Sequence, residues 1–456
     1  MCQNYVESHK GKIKPARITR GHHRKGNRLK ILIYGLNYAP ELTGIGKYSG
    51  EMGSWLAARG HDVHVVTAPP YYPAWSIRED YRGKLYRTEN ADKRNPSEPV
   101  VFRTPLYVPA VPSGIKRMIH LFSFMLGSLP VLARQAAWEP DVIFTVEPTF
   151  FGAPAALLVA QAAGAASWLH VQDFEVDAAF DLGLLPSKGP VHALALGLEK
   201  FFTRRFSRVS SISSKMLERV LTKGTSTQNA IFFPNWVDID AVHPQPTTAP
   251  NSFREELRLQ QKIILLYSGN LGAKQGLELL APLAAAFGQD GSHADPRVHF
   301  LFCGDGAFRP RLEALVGHLP NVTLLPLQPF SRLNDLLNAA DIHLLPQRAG
   351  AADLVMPSKL TGMLSSGRPV IATADPGTQV AQVVSGEGLI PHPPCGLVVP
   401  AEDEAALHNA AAHLVADQAL RSTLGSAARD YAVRHLGKQQ VLLQFEGDLR
   451  AATTSS

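Results

Sequence analysis

The sequence predicts an α/β protein with two doubly wound parallel sheets in tandem, and three observations carry that expectation. Short apolar runs alternate with helix-like patterns along most of the 456 residues. The alternation stops at one proline-rich stretch and then begins again. The composition, 45% hydrophobic and 18% charged, is that of a globular chain with a large core.

In the first half, Lys30-Ile-Leu-Ile-Tyr-Gly35 reads as a fully buried parallel strand. A helix follows around Tyr48, Met52, Trp55 and Leu56 and ends at Gly60, the residue type that most readily takes the left-handed cap. Further strands are expected at 63–67, 100–103, 142–146, 168–171, 209–212 and 231–233. The stretch 236–250, rich in proline and without period, reads as a linker between a domain at 30–235 and a second at 251–430. New strands follow at 263–268, 299–303, 322–324, 342–345, 370–373 and 396–399. The chain is helical after Asp403, and a long helix near 431–449 is expected to reach back across the first domain. Two such domains place a ligand cleft at the carboxyl ends of their strands.

Gly44 and Gly46 fall between the first strand and the first helix. They do not fit the dinucleotide fingerprint G-x-G-x-x-G, because eight residues separate Gly35 from Gly44 and the spacing runs Gly44-x-Gly46-x-x-x-Gly50. They are expected to let backbone approach a ligand's phosphates or a second substrate from across the cleft, with Lys47 and Tyr48 opening the helix behind them.

The formal charge of +6 is concentrated in residues 1–29, where eight Lys and Arg face one acid, Glu7, so the body is near −1. This basic tail lacks apolar period and is expected to be disordered. Attraction to an anionic membrane surface is its functional reading, and the lack of interleaved aromatics argues against nucleic acid. It has no apolar core of a secretory signal. The three cysteines, Cys2, Cys303 and Cys395, have no metal spacing and suit a reducing cytosol. The uncharged stretch 151–169 is interrupted by Pro154, Gln161 and Gly164 and reads as a helix packed on a sheet rather than a membrane span. In 113–137, Lys116, Arg117 and His120 sit among many apolar residues, which leaves two readings open, a core helix capped by charge or an interfacial helix.

The second half carries the sharper chemical signals. Tyr267 to Leu280 passes from a strand through Gly269 and Gly272 into a helix, with Lys274 where free backbone N–H groups and the helix dipole favour phosphate. Leu301 to Glu313 repeats the design with Gly304 and Gly306 around Asp305.

In order, SGNLGAKQG, CGDG, a Leu-Gln-Pro segment, AADIHLLPQ and PSKLTGMLSSGRPVIAT resemble the retaining GT-B glycosyltransferases of family 4, built from two Rossmann-like domains facing across a cleft. Among these the chain is most similar to bacterial enzymes of exopolysaccharide or O-antigen biosynthesis, of the colanic-acid type. The resemblance runs from residue 30 onward and includes YAPELTGIGKYSGEM and PNWVD.

It implies that Gly269, Asn270, Gly272 and Lys274 surround a donor diphosphate, that Gly304 and Asp305 border the nucleotide, and that Gln328 lies near the base. It places Pro357, Ser358 and Lys359 in the loop that meets ribose, phosphate or donor sugar. Many relatives carry two glutamates where this chain has Leu354 and Gly362, and Asp353 and Lys359 stand close by. On the acceptor side, His170, two residues before Gln172, and Asp173 are the residues that the resemblance brings toward the reacting sugar.

The implied reaction is transfer of a sugar from a nucleoside-diphosphate donor to a lipid-linked saccharide at the inner face of the membrane, with retention and no separate cofactor or metal. A front-face path, in which the leaving phosphate accepts the acceptor's proton, fits the lack of an evident nucleophile. A fucose-like deoxysugar is the donor sugar that the nearest relatives suggest. Two rivals stay open: a sugar-nucleotide epimerase on the same plan, and an inactive scaffold that binds nucleotide or membrane.

Overall fold

The computed structural model describes residues 28–41, 44–91, 95–111, 113–148, 150–174, 176–177, 180, 188–246, 249–272, 275–349, 357–388 and 391–454. Residues 1–27 of the basic tail, Lys274 and Asp353 lie outside these described residues. The chain divides into two compact units, one of Met1–His170, Glu175–Val209 and Asp448–Ser456, the other of Val171–Phe174 and Ser210–Gly447.

The first sheet is built from β1 (Lys30–Gly35), β2 (Asp62–Thr67), β3 (Arg87–Glu89), β4 (Val100–Arg103), β5 (Val142–Glu147), β6 (Ala166–Val171), β7 (Arg208–Ser211) and β8 (Ala230–Phe232). Its order is β3-β4-β2-β1-β5-β6-β7-β8. The apolar runs that predicted strands are the ones that pair in parallel, with Ile31 beside both Val63 and Val142. The strand order reverses between β1 and β5, the switch point at which such sheets bind ligands. β3 is antiparallel and was not expected, since Arg87-Thr88-Glu89 is a polar edge segment with no apolar run to mark it.

Four described helices of ten residues or more belong to the first unit: α1 (Gly44–Ala58), α2 (Gly114–Trp138), α3 (Ala153–Ala163) and α4 (Pro190–Thr203). The stretch 151–169 is thus a helix followed by a strand, as its composition suggested. α2 buries His120, Phe124, Ser128, Val131, Leu132 and Gln135. Its inner face is fixed by specific polar contacts: Ser128 Oγ lies 2.9 Å from Tyr34 Oη, and Gln135 Oε1 lies 2.7 Å from His64 Nδ1. The outer face carries Ile115, Ile119, Phe122, Leu126 and Leu129, each between 40 and 76% exposed. These residues recur at i, i+4, i+7, i+11 and i+14, so they form one stripe.

The second sheet consists of β9 (Ile263–Ser268), β10 (Val298–Cys303), β11 (Val322–Leu325), β12 (Ile342–Leu345), β13 (Val370–Thr373) and β14 (Gly396–Val399). It is parallel throughout in the order β11-β10-β9-β12-β13-β14, the doubly wound order 3-2-1-4-5-6. Leu265, Tyr267, Phe300, Phe302, Ile342 and Leu344 supply the continuous apolar surface on which one helical layer packs.

Two expectations change here. Residues 236–250 are not a bare tether: Val237 and Val242 join the second unit's core, and Arg429 Nη1 and Arg368 Nη2 donate to the carbonyls of Val242 and Gln245 at 2.9 and 3.0 Å. Nor is 431–449 one helix. A π-helical turn over Ala432–Leu436 ends at Gly437, where Val237 pairs with the open backbone, accepting from Lys438 N and donating to Leu436 O, before a new helix runs over Lys438–Thr454. Gly437 and the docked 236–250 stretch together explain the break. Asp238-Ile239-Asp240 spells Asp-x-Asp, but Asp238 Oδ1 caps its own turn by accepting from Asp240 N and Ala241 N.

Candidate functional site

The switch point of the second sheet lies between β9 and β12, and the predicted phosphate loops leave from this edge and from β10 beside it. Gly269 and Gly304 follow β9 and β10 directly, with φ of +131° and +152°. A Cβ on Gly304 would collide with the Gly269 carbonyl oxygen, so the two turns touch backbone to backbone. They are stitched by Gly269 N to Cys303 O at 2.9 Å and Leu271 N to Asp305 O at 2.8 Å. Gly306, with φ of +149°, is pressed against Leu271 O in the same way. Glycine is required in CGDG for this close approach of two loops.

Lys359 opens the helix Lys359–Ser365, directly after Pro357 and Ser358. Its Nζ donates to Tyr267 Oη at 2.8 Å and stands 4.1 Å from the centre of the Tyr267 ring. Tyr267 Oη in turn donates to Asn270 O at 2.7 Å, and the lysine stem runs 3.5 Å from where a Gly269 Cβ would be. Lys359, Tyr267, Gly269 and Asn270 are thus brought together although 92 residues separate the lysine from the tyrosine. Burial lowers the Lys359 ammonium to about 7 and raises the Tyr267 phenol above its usual range. Among the described residues no carboxylate pairs with Lys359, and such a cation is well suited to a dianionic phosphate.

The other predicted donor residues frame this pair. Asp305 is exposed and its Oδ1 accepts from Gly306 N at 2.8 Å, so its carboxylate shapes the turn. Arg309 Nη1 fixes the loop from behind through Gly304 O and Leu325 O. Gln328 is half-buried, and its Nε2 donates to Pro326 O at 2.9 Å. The helix expected to start near Lys274 begins later: a 3-10 turn covers Leu277–Leu279 and the α-helix covers Leu280–Ala286. Gly276, at φ +61°, lies against the Gln347 backbone immediately before that turn. The predicted dipole at Lys274 is therefore displaced toward Leu277.

Sequence reading missed Tyr267, Gln275 and Gln347. Among the described residues, Gln275 Oε1 and Gln347 Oε1 are buried acceptors without a hydrogen-bond donor, both beside Gly276 and the strand ends. Such acceptors are matched by ligand hydroxyls or water. Their positions after β9 and β12 were the available signal.

In the first unit the predicted residues divide. Gly44 starts α1 at φ +59° with open space where a Cβ would be. Gly46 does not face open space: a Cβ there would lie 2.6 Å from both Glu41 Cβ and Glu41 Oε2. Gly50 and Gly53 stand equally close to Ala39 and Tyr38. The spacing 46, 50, 53 is therefore the groove in α1 that receives the loop 38–41, and α1 itself opens at Gly44 rather than behind Lys47. The seated Glu41 is 5% exposed and accepts from Asn37 Nδ2 and from the N–H groups of Tyr71 and Tyr72 at 2.9 to 3.1 Å. Burial raises its carboxyl above the usual carboxylate range.

His170, expected to face a sugar, is 3% exposed inside β6 and stacks on Phe144 with ring centres 5.4 Å apart. Burial lowers it to about 3, so it is a neutral core ring at physiological pH. Strand alternation turns it inward. Asp173, beyond the strand end, is half-buried and is the better placed of the two.

Comparison with known proteins matches two family models, "Glycosyl transferase 4-like domain" over residues 43–236 and "Glycosyl transferases group 1" over 262–417. The chain is 41% identical over 427 residues to the putative colanic acid biosynthesis glycosyl transferase WcaI of Escherichia coli K12, covering 92% of this chain and all of that protein. Among solved structures it is similar to the sucrose-phosphate synthase of Thermosynechococcus elongatus, with a TM-score of 0.67 at 20% identity over 93% of this chain and 99% of the other. It is also similar to Anabaena HepE in complex with UDP, with a TM-score of 0.64 at 14% identity over 93% and 100%. The last two likenesses concern the fold.

Proposed function

The chain belongs to the GT-B glycosyltransferases of the exopolysaccharide type, and from that premise we propose that it transfers a sugar, with retention, from a nucleoside-diphosphate donor to a lipid-linked saccharide. The observation that carries the donor half is the Lys359–Tyr267 pair at the carboxyl edge of β9, a lysine desolvated beside three crowded glycine turns. A dianionic phosphate arriving there restores the ammonium, and that charge opposes the negative charge that grows on the leaving diphosphate. Gly269, Asn270, Gly272, Gly304 and Asp305 line the phosphates and nucleotide in this reading, with Gln328 toward the base; Lys274 and Asp353 are further donor-site residues of the proposal. Pro357 and Ser358 lead Lys359 into place. The first unit receives the acceptor near Gly44. The acceptor hydroxyl's proton passes to the leaving phosphate oxygen, which needs no protein base and agrees with the inward position of His170. The donor sugar is a fucose-like deoxysugar.

The enzyme works on the cytoplasmic face of the inner membrane in this proposal. Among the described helices, α2 is long and apolar enough to cross a bilayer. Its inner face is committed to core contacts, which favours a helix lying in the interface with the outer stripe toward lipid. Lys116 and Arg117 occupy its first turn, where cations oppose the helix dipole; Arg117 stacks over the Trp75 ring at 5.4 Å, and exposed Lys116 is left to face headgroups in this proposal.

A thermal-shift screen against nucleoside-diphosphate sugars tests the donor half, because a ligand of the native state raises the melting temperature with its concentration. A deoxysugar nucleotide is expected to shift it more than its 6-hydroxylated counterpart. No shift with any sugar nucleotide would sink the donor assignment.

A further inference from the structure

The first unit holds a second concave site that the transfer reading leaves unused. A pocket of about 490 Å³ opens between the segment 77–85 and the strand-end segment 105–107, with Ser123 of α2 at its wall. Its lining includes Ile77, Tyr81, Leu85 and Leu106, an apolar interior, with Arg82 and Lys84 as its cations. That volume is in the range of sites that hold small molecules, roughly 300–1,000 Å³.

The surrounding contacts make it a built feature. Tyr107 N donates to Ser123 Oγ at 3.0 Å, and Tyr86 Oη donates to Gly127 O at 3.2 Å, so both walls are fastened to α2. Gly127 lets the helix approach Pro105, since a Cβ there would stand 2.6 Å from the Pro105 carbonyl oxygen. The rim is apolar as well: Leu85 is 73% exposed, Tyr86 49% and Tyr107 43%. On α2, Ser123 is one helical turn from Ile119 and adjacent to Phe122, so the outer stripe runs beside the pocket mouth. Of the two acids of the neighbouring turn, Glu79 and Asp80, Asp80 is engaged by Arg78 at 2.9 Å, and the charged residues of the pocket lining itself are Arg82 and Lys84.

We infer that this pocket holds the hydrocarbon chain of an anionic amphiphile, with its phosphate-like head against Lys84 and Arg82. The occupant is the lipid half of the acceptor, so the inference rests on the lipid-linked acceptor proposed above and gives it a place. An apolar interior alone fits any hydrocarbon; the paired cations at the mouth select a negatively charged head, and the contiguous α2 stripe supplies a lipid-facing approach.

Calorimetric titration of the full chain with decyl phosphate, kept below its micellar concentration, tests this. Saturable binding is expected, with decanol at least about tenfold weaker and inorganic phosphate silent. Lys84→Glu is expected to weaken decyl phosphate about tenfold, and Leu106→Trp, which fills the pocket, to abolish binding. Leu85→Asp, at an exposed rim position, is a second variant that leaves folding intact and lowers affinity. Each variant must keep the wild type's cooperative thermal unfolding transition to count as folded. Absence of saturable binding, equal binding of inorganic phosphate, or affinity unchanged in both Lys84→Glu and Leu85→Asp overturns the inference. Decyl phosphate binding without any sugar-nucleotide response leaves the pocket standing and removes the transferase reading, so the two fail separately.

Discussion

Lys359 is the residue on which the donor chemistry proposed for the second unit turns. Its ammonium is held near 7 by burial, against about 10.4 in an unfolded chain. Below pH 7 both states carry the proton and the native state bears the whole cost of a desolvated charge. Between pH 7 and about 10 only the unfolded chain keeps the proton, so this cost fades as pH rises. Lys359→Met is therefore expected to raise the melting temperature at pH 6 and to change it little at pH 10, while weakening nucleoside-diphosphate binding by at least about tenfold. Calorimetry in buffers of different ionisation enthalpy checks the linked event: at pH 8 the wild type takes up a proton with the ligand, and the Met variant does not. Gly304 gives an independent residue-scale prediction. With φ of +152° and the Gly269 carbonyl in the way of any Cβ, Gly304→Ala is expected to cost about 2–4 kcal/mol, read by chemical denaturation. The sequence marked both residues, but not what they touch. CGDG looks like a ligand loop, and its glycines also serve loop against loop. Tyr267 had no mark because its partner is 92 residues away.

At the scale of elements, apolar runs located every parallel strand of both sheets, since a strand buried on both faces must be apolar throughout. The elements that sequence left unread are those whose determinants are polar or distant. β3 is an Arg-Thr-Glu edge, and the break at Gly437 depends on Val237 pairing from 200 residues away. Gly46, Gly50 and Gly53 are a helix groove rather than a phosphate loop, a distinction that needs the position of Glu41. α2 has the core face that one of its two readings expected, and its exposed apolar stripe is what the proposed interfacial reading would use. Phe122→Glu combined with Leu126→Glu is expected to abolish sedimentation with vesicles containing anionic lipid. Both positions are about half exposed, 47 and 50%, so folding stability should change by no more than about 0.5 kcal/mol per site. Retained vesicle binding in that variant would remove α2 from the membrane contact.

For the whole molecule, the family and both α/β units could be read from the ordered motifs, while the division of labour among residues required the structure. His170 is the clearest case, a polar residue at a strand end by sequence and a buried ring by position. The near-neutral body and the basic stretch before residue 30 predict that the proposed binding to anionic vesicles weakens with ionic strength, as the attraction of a cationic segment to an anionic surface is screened. Removing residues 1–29 is expected to lessen the salt dependence and leave the donor-induced thermal shift unchanged. The central claim is sugar transfer with retention from a nucleoside diphosphate to a lipid-linked saccharide. Incubating the purified chain with a responding sugar nucleotide and lipid-linked saccharide, then determining the product's anomeric configuration by NMR, tests it most directly. The expected result is a new glycosidic bond with the donor's anomeric configuration, strongly reduced in Lys359→Met. An inverted linkage, or donor turnover with no sugar reaching the lipid fraction, would contradict it.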